Sequence, residues 1–188
     1  METQYQTKET RKIVLTGGPG IGKTTVLNLL EQRGYRILPE VARQVIEEAQ
    51  SSNSDCLPWL NLTKFQEAVA KRQISLEDSC SEDVVFLDRG IVDGKAYCKQ
   101  GNIPAPEIIE RNSRGRYNLV FLLDQLPNYQ NDTARKESRE EATKIHEEIH
   151  NTYLGCGYTP IRVPVMSPIE RTDFILNCLK GGEENGKN

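Results

Sequence analysis

A glycine-rich segment near the N-terminus constrains the fold more than any other part of the sequence. It consists of Gly17, Gly18, Pro19, Gly20, Ile21, Gly22, Lys23, Thr24 and Thr25, and its first eight residues match the phosphate-binding pattern G-x-x-x-x-G-K-[ST]. Glycines let the backbone wrap an anion with successive N–H groups pointing inward. Lys23 would reach the outer phosphates and the Thr24 hydroxyl would bind Mg²⁺. The segment therefore predicts a nucleoside triphosphate site.

The flanking residues predict a strand before this loop and a helix after it. Residues 13–15 are apolar, as in a short buried strand. The apolar face of the following helix would be formed by Val26, Leu27, Leu29 and Leu30. A plain glycine-rich turn is the alternative interpretation. The dinucleotide-binding pattern G-x-G-x-x-G is excluded, because Lys23 stands where its third glycine is required.

Length and composition indicate one ordinary domain. The chain has 188 residues, 37% of them hydrophobic, and a net charge of −3, so no basic excess points to nucleic acid or to a membrane surface. We expect a domain at 11–180 between a polar tail at 1–10, which lacks a signal-peptide core, and a disordered tail at 181–188. No apolar run is long enough to span a bilayer. The five cysteines lack a C-x-x-C pair, which favours a cytoplasmic protein with reduced thiols.

Strand-like and helix-like segments alternate along the chain, which predicts a parallel sheet covered by helices on both faces. Five segments are strand-like (13–15, 35–38, 84–87, 119–123 and 161–165), and the longest helix is expected at 62–82. Pro164 indicates that the last strand lies at an edge. Ligands bind at the carboxyl ends of such strands. Those ends carry Gly17, Glu40, Asp88 and Asp124.

Three charged residues at these strand ends are candidates for chemistry. Asp88 follows a buried apolar run, the arrangement in which a carboxylate holds Mg²⁺, although it could instead cap the next helix. Arg89 could pair with a phosphate or an acceptor carboxylate, or form a structural ion pair. Glu40 could accept the proton of an attacking hydroxyl, and its alternative is a first-turn residue favoured by the helix dipole.

The polar segment at about 127–140 predicts a lid over the triphosphate. An arginine delivered by such a lid can stabilise the transferring phosphate, and Arg135 is our choice, with Arg139 behind it. A solvated helix start is the alternative. In the next helix, residues 146–150 match the zinc-protease pattern H-E-x-x-H. We do not assign zinc catalysis to it, since His146 and His150 are the only histidines and the phosphate loop fixes the site elsewhere.

Several of these elements, in this order, carry a family resemblance: Gly17 to Thr25, Pro39 to Arg43, Leu57-Pro58-Trp59, Phe65-Gln66, Phe86 to Gly90, Asp93, and Tyr129 to Tyr153. In them the chain resembles the AAA-type predicted ATPase/kinase domain. This family of small P-loop proteins includes the nicotinamide-riboside kinase domain of bacterial NAD regulators. The resemblance covers about residues 11–180, and thymidylate and deoxynucleoside kinases are more distantly similar.

The resemblance implies an α/β fold of the P-loop NTPase type, a nucleoside- or nucleotide-kinase-like three-layer sandwich with five parallel strands in the order 2-3-1-4-5. It also implies that Arg135 is the lid arginine. The residues that it assigns to the acceptor pocket are Glu40, Arg43, Trp59, Phe65, Gln66, Arg89 and Asp93. One departure is Gly90, where deoxynucleoside kinases usually have Ser, so the acceptor need not be a nucleoside. The chain has no room for the helical lid domain of hexameric AAA machines, and it lacks the N-K-x-D motif of GTPases.

The primary hypothesis is a Mg²⁺-dependent kinase that moves the γ-phosphate of ATP to a small hydroxyl- or phosphate-bearing metabolite, such as a nucleoside-, ribosylnicotinamide- or vitamin-like acceptor. Its catalytic residues would be Lys23, Glu40, Arg89 and Arg135, with Thr24 and Asp88 at the metal. The phosphate loop, Arg135 and Arg139 would bind the nucleotide. Two alternatives stay open: a nucleotide-binding sensor or switch, and a simple NTP hydrolase. The sequence does not decide between ATP and GTP, and it leaves the oligomeric state open, a homodimer included.

Overall fold

The computed structural model describes residues 9–127 and 138–184. In these ranges the chain forms five strands and seven helices. Their order is β1 (Arg11–Thr16), α1 (Lys23–Gln32), β2 (Arg36–Leu38), α2 (Val41–Ser51), α3 (Leu62–Asp78), β3 (Val84–Asp88), α4 (Ile91–Gln100), α5 (Glu107–Asn112), β4 (Leu119–Leu123), α6 (Arg139–Gly155), β5 (Ile161–Val163) and α7 (Pro168–Glu184).

The five strands form one parallel sheet in the order β2-β3-β1-β4-β5, which confirms the expected topology. The central strand β1 pairs with β3 in a register that places Leu15 beside Asp88. It pairs with β4 on its other side. The three-residue strands β2 and β5 form the two edges, so the last strand lies where Pro164 indicated. The ends of β1 and β3 are thus adjacent, which brings the phosphate loop and Asp88 to the same edge of the sheet.

Alternate residues of each strand enter two separate cores, one on each face of the sheet. Ile13 and Leu15 pack with the apolar faces of α1 and α7, in a core that includes Leu27 and Ile175. Val14 packs on the opposite face, in a core with residues from α4 and α6. Strand residues 13–15 are fully buried. The continuous apolar runs in the sequence therefore arise because both faces are covered, and the fold is the expected three-layer α/β sandwich.

Several element boundaries differ from the sequence-based expectation, most of all the ends of α3, β5 and α7. Helix α3 ends at Asp78 rather than near Glu82, and the Ser79 hydroxyl donates to the Leu76 carbonyl oxygen at 2.8 Å, a local bond that competes with helix continuation. Strand β5 ends before Pro164. Helix α7 continues to Glu184, so four residues of the segment expected to be a disordered tail are helical.

Two further expectations concern the ends of the chain and the membrane. The tails at 1–8 and 185–188 lie outside the described residues. Within the described ranges, none of the helices has the length and apolar character needed to cross a bilayer.

Candidate phosphate-loop site and acceptor cavity

The loop between β1 and α1 has a backbone shape that requires glycine. Gly17 and Gly22 have φ values of 129° and 84°, in the region that favours glycine. A Cβ atom at Gly17 would lie 2.5 Å from Ile21 Cδ1. Gly22 is also the N-cap of α1, where it supplies no side-chain cap. The first N–H groups of α1 are therefore left without a capping side chain, which is the arrangement that binds phosphate.

Lys23 is the first residue of α1, and its side chain is largely shielded from solvent. It is 8% exposed, and its Nζ lies 3.4 Å from the Gly18 carbonyl oxygen. Burial, together with the nearby Arg89, lowers the pKa of Lys23 to about 8. Thr24 and Thr25 follow with exposed side chains. The loop thus holds a partly desolvated cation that an incoming anion would stabilise.

Asp88 ends β3 beside the phosphate loop, and one of its carboxylate oxygens is unsatisfied. Its Oδ1 is buried and has no hydrogen-bond partner among the described residues. Burial raises the pKa of Asp88, and Glu40 adds to this effect while Lys23 opposes it. Asp88 does not cap α4, because the N-cap of that helix is Gly90. A buried carboxylate oxygen without a donor fits a Mg²⁺ ligand, and the exposed Thr24 hydroxyl fits a second.

Arg89 connects the phosphate loop to the other strand ends. Its Nε donates to Glu40 Oε1 at 2.9 Å, and its Nη1 donates to the Gly17 carbonyl oxygen at 3.0 Å and to Asp93 Oδ1 at 3.1 Å. The guanidinium carbon lies 5.6 Å from the centre of the Tyr97 ring. The Arg89 backbone has a φ of 72°, which is unfavourable for a residue with a side chain. The surrounding contacts hold this strained conformation, as is common at functional sites.

Glu40 lies at the N-terminus of α2 and uses its carboxylate for Arg89 rather than for the helix. It is the N-cap residue but makes no side-chain cap. Burial acts to raise the pKa of Glu40, but Arg89 and Lys23 outweigh it, so that the pKa is lowered. Glu40 is consequently ionised at neutral pH and can accept a proton.

Asp93 is fully engaged by protein donors. Its Oδ1 accepts from the Thr16 hydroxyl, and its Oδ2 accepts from the Tyr153 hydroxyl at 2.7 Å and from the Gly90 N–H at 3.0 Å. Together with Arg89 this gives four donors to one buried carboxylate. Asp93 borders the cavity described next, but its oxygens are already bound, so the geometry suits a residue that positions Arg89 and β1.

A further buried carboxylate, that of Glu77 on α3, supports the turn between β3 and α4. Glu77 Oε1 accepts from Gln73 Nε2 at 2.9 Å and from the Tyr117 hydroxyl at 3.0 Å, while Arg116 pairs with Oε2. The Tyr117 oxygen in turn accepts from the Ile91 N–H at 2.7 Å. This network joins α3 to the start of α4. Nothing in the sequence pattern of α3 indicated it, because Glu77 and Tyr117 are 40 residues apart.

A cavity of about 380 Å³ opens beside Asp88 and Arg89, between α2, α3 and α4. Phe65 and Gln66 line it, as expected, and so do Glu40, Arg89 and Asp93. Most of its remaining wall is apolar, formed by residues such as Val41, Ile46, Leu62, Val69 and Ile109. Two residues expected in the pocket do not line it. Arg43 is exposed on the outer face of α2, and Trp59 is 62% exposed in the loop before α3.

The expected lid lies mostly outside the described residues. Residues 128–137, which include Arg135, are not described. Arg139 is the first residue of α6 and is exposed. The N-cap of that helix is Ser138, whose hydroxyl accepts from the Glu141 N–H. Glu141 borders the cavity, so the start of α6 lies near its mouth.

Arg171, on α7, was missed by sequence reasoning although it supports the phosphate loop. It is 2% exposed, and its Nη1 donates to the Ile21 carbonyl oxygen at 2.7 Å. Its other nitrogens donate to the carbonyl oxygens of Asp124 and Pro164 at 2.9 and 3.0 Å. One guanidinium therefore joins the phosphate loop to the ends of β4 and β5. A single arginine in an ordinary amphipathic helix gave no signal of this contact.

Comparisons with known proteins agree with this geometry. A family model described as an AAA domain matches residues 12–171. Dephospho-CoA kinase from Corynebacterium glutamicum is 30% identical over 105 residues, which are 55% of this chain and 49% of that protein. The chain thus spans about half the length of this curated relative.

Solved structures of P-loop kinases share the fold. The NadR protein in complex with NR has a TM-score of 0.60 at 18% identity, covering 85% of this chain and 45% of that chain. Thymidylate kinase from Candida albicans has a TM-score of 0.59 at 15% identity, covering 93% and 92%. At these identities the likeness establishes the fold alone. Together with the phosphate loop and the strand order, the match over residues 12–171 shows that the chain belongs to the AAA domain family of P-loop proteins.

Proposed function

We propose that this protein is a Mg²⁺-dependent kinase that transfers the γ-phosphate of ATP to a hydroxyl group of a small metabolite of about nucleoside size. The observation that carries the proposal is Arg89, which bonds to the Gly17 carbonyl in the phosphate loop and to Glu40 at the acceptor cavity. A residue that bridges both sides would align a donor phosphate with an acceptor hydroxyl.

On the donor side, the phosphate loop and Lys23 would hold the triphosphate. Asp88 and Thr24 would hold Mg²⁺, which supplies neutralising charge to the phosphate oxygens. The unsatisfied Asp88 Oδ1 supports this assignment. Arg135, the predicted lid arginine, would add positive charge to the transferring group, and Arg139 is the second candidate.

On the acceptor side, Glu40 would accept the proton of the attacking hydroxyl. Its lowered pKa, the result of Arg89 and Lys23 outweighing burial, keeps it ionised for this role. Arg89 would keep the carboxylate directed toward the phosphate loop.

The charges around the cavity favour an acceptor that is neutral or cationic. The carboxylates of Glu40, Asp88 and Asp93 line the end of the cavity beside the phosphate loop. Among the described lining residues the one basic side chain is Arg89, and it already donates to protein acceptors. A phosphorylated acceptor would be repelled there. The apolar remainder of the wall suits a ring. The solved NadR structure, which is a complex with NR, supports a nucleoside-like acceptor.

The cavity itself favours a kinase over a simple hydrolase. Its volume of about 380 Å³ falls in the range of small-molecule sites, about 300–1,000 Å³, whereas hydrolysis requires room only for water. We also propose a cytoplasmic location, which the five cysteines support because none of them forms a disulfide.

The test is a phosphotransfer assay with ATP and Mg²⁺ on matched acceptors. Nucleosides, ribosylated pyridines and hydroxyl-bearing vitamins are compared with their own phosphate esters. We expect at least one hydroxyl compound to be phosphorylated and its phosphate ester to be a much poorer acceptor. Phosphate release that no acceptor stimulates would favour a hydrolase and contradict the proposal. ATP binding without any turnover would favour a sensor.

A further inference from the structure

His146 belongs to the H-E-x-x-H pattern, which the proposed function does not use, and it lies directly against the phosphate loop. It is 5% exposed, and its Nδ1 accepts a hydrogen bond from the Gly18 N–H at 3.2 Å. A Cβ atom on Gly18 would lie 2.8 Å from the Ala142 carbonyl oxygen, one helical turn before His146. Helix α6 therefore packs on the backbone of the loop with no space between them.

This contact fixes the orientation of the residue at the start of the loop. The Gly18 N–H is held by His146, while the Gly18 carbonyl oxygen is the acceptor for Lys23 Nζ at 3.4 Å. Both polar groups of Gly18 are thus engaged by protein, on different sides. The N–H groups that remain for an anion are those that follow in the loop and in the first turn of α1.

We propose that His146 is a positioning residue for nucleotide binding, which holds the Gly18 end of the phosphate loop through an unprotonated Nδ1. The proposal rests on the proposed function in that the loop binds ATP. It makes nucleotide affinity depend on the protonation state of a histidine whose hydrogen bond is to the backbone of the loop.

The groups around His146 keep it neutral near pH 7. Burial lowers the pKa of His146, and Arg162 on β5 acts in the same direction; Asp124, after β4, opposes them. His150 and Glu147 on α6 itself have smaller and opposite effects. The phosphate loop presents to the imidazole the backbone of Gly17 and Gly18. Protonation would set an Nδ1–H against the Gly18 N–H, so the bond would be lost.

The test uses three variants of the full chain and the dissociation constant of Mg²⁺–ATP, measured by calorimetry from about pH 5 to pH 8. His146→Asn offers an oxygen near the position of Nδ1 and does not titrate. His146→Leu fills similar space without an acceptor. His150→Asn removes the other histidine of the pattern and is the control.

We expect the parent and His150→Asn to lose affinity together as the pH falls through the lowered pKa of His146, and His146→Asn to lose less. His146→Leu should bind ATP about tenfold more weakly throughout, because a buried N–H loses its acceptor. A raised KM for ATP with an unchanged KM for the acceptor would agree. Equal affinity of His146→Leu and the parent, or an unchanged pH dependence in His146→Asn, would overturn the proposal.

A second measurement separates this inference from the proposed function. In the protein without nucleotide, the NMR resonance of the Gly18 amide should shift as His146 titrates, and it should not do so in His146→Asn. If the parent binds no ATP, the proposed function fails, while this titration still tests the contact. If the Gly18 amide resonance does not shift as His146 titrates, the inference is refuted, even if the protein binds ATP well.

Discussion

Arg89 and Glu40 form an ion pair, with 2.9 Å between Nε and Oε1, that joins the end of β3 to the start of α2. The arginine presents this nitrogen from a backbone with a φ of 72°, which costs roughly 1 kcal/mol or more. The turn is held by a bond from the Gly90 N–H to Asp93 and by one from Gln73 to the Arg89 carbonyl oxygen at 3.5 Å. The strained backbone therefore lies where the phosphate loop meets the cavity.

Glu40→Gln should lower kcat by about 10²–10⁴-fold, because an amide cannot accept the proton of the acceptor hydroxyl. The dissociation constant of ATP should change little. Steady-state kinetics with a saturating acceptor measures kcat, and calorimetry measures the dissociation constant of ATP. Glu48→Gln, in the same helix but exposed, is the matched control and should retain full activity. A Glu40→Gln enzyme with parental kcat would remove Glu40 from the mechanism.

Asp88→Asn should stabilise the protein without ligands and impair its use of Mg²⁺. The substitution removes a buried carboxylate whose pKa burial has raised and whose Oδ1 has no donor. Relief of about 1–2 kcal/mol corresponds to a rise of roughly 2–8 °C in melting temperature for a chain of this size. Activity should fall by about 10²-fold or more at limiting Mg²⁺. Scanning calorimetry without Mg²⁺ gives the first result, and a lowered melting temperature would contradict it.

ATP binding should take up a proton at alkaline pH through Lys23. The pKa of Lys23 is lowered from 10.5 to about 8 by burial and Arg89, and bound phosphates would raise it again. Above about pH 8 the amine is neutral before binding and charged after it, so affinity declines and one proton is taken up per site. Calorimetry in two buffers that differ in ionisation enthalpy gives the number of protons taken up per bound ATP. Lys23→Arg stays charged and is the control that should show no uptake.

The same residue affects stability in the absence of nucleotide. Between about pH 8 and pH 10.5 the folded protein binds fewer protons at Lys23 than the unfolded chain does. The contribution of Lys23 to the free energy of unfolding therefore rises with pH across this window. This rise in the free energy of unfolding should be absent from Lys23→Arg when the variant and the parent are compared by urea denaturation.

Arg171→Lys should destabilise the protein by about 2–4 kcal/mol and weaken ATP binding. The ammonium group cannot reach all three carbonyl oxygens that the guanidinium engages, of which that of Ile21 is buried and those of Asp124 and Pro164 take part in partly buried bonds. Arg33→Met is the control. It breaks an exposed ion pair with Asp173, which like Arg171 lies on α7, and it should lower the free energy of unfolding by less than about 1 kcal/mol. Equal urea midpoints for the two variants would show that Arg171 does not support the loop.

Gly90→Ser would restore the residue that deoxynucleoside kinases usually carry, and we expect it to be unfavourable here. A Cβ atom at this position would lie 2.8 Å from both Tyr117 Cε2 and the Tyr153 hydroxyl oxygen. The Gly90 φ of −126° is accessible to any residue, so the cost is steric, about 1–3 kcal/mol. Gly155→Ser, with no neighbouring atom within 4 Å of its Cβ position, controls for helix propensity. The departure from the kinase pattern thus has a packing explanation that is independent of the acceptor.

The parts of the site that could be predicted are those encoded locally. The phosphate loop is a contiguous motif. Asp88 is the last residue of β3 and Glu40 lies two residues after β2, and the carboxyl ends of such strands meet at one edge of a parallel sheet. The strand order followed from the family resemblance and is confirmed. Helical spacing from Val41 and Val45, which are buried, places Arg43 on the outer face of α2, so local periodicity already bears on its position relative to the cavity.

The parts that could not be predicted depend on distant pairs. Asp93 meets Tyr153 across 60 residues, and Gly18 meets His146 across 128. Such contacts are decided by how α4 and α6 pack together on the sheet, and no local periodicity encodes them. The H-E-x-x-H pattern was recognised, but its spacing suggests a metal, whereas the fold directs His146 to a backbone amide.

The link between Arg171 and Ile21 spans 150 residues, which sets a limit on events during translation. Ribosomes extend a chain from its N-terminus, so the glycine-rich turn is synthesised well before the guanidinium that supports it. While the ribosome is still making the residues between them, the Ile21 carbonyl oxygen lacks this donor. The loop therefore reaches its supported conformation only after α7 has been synthesised and has docked.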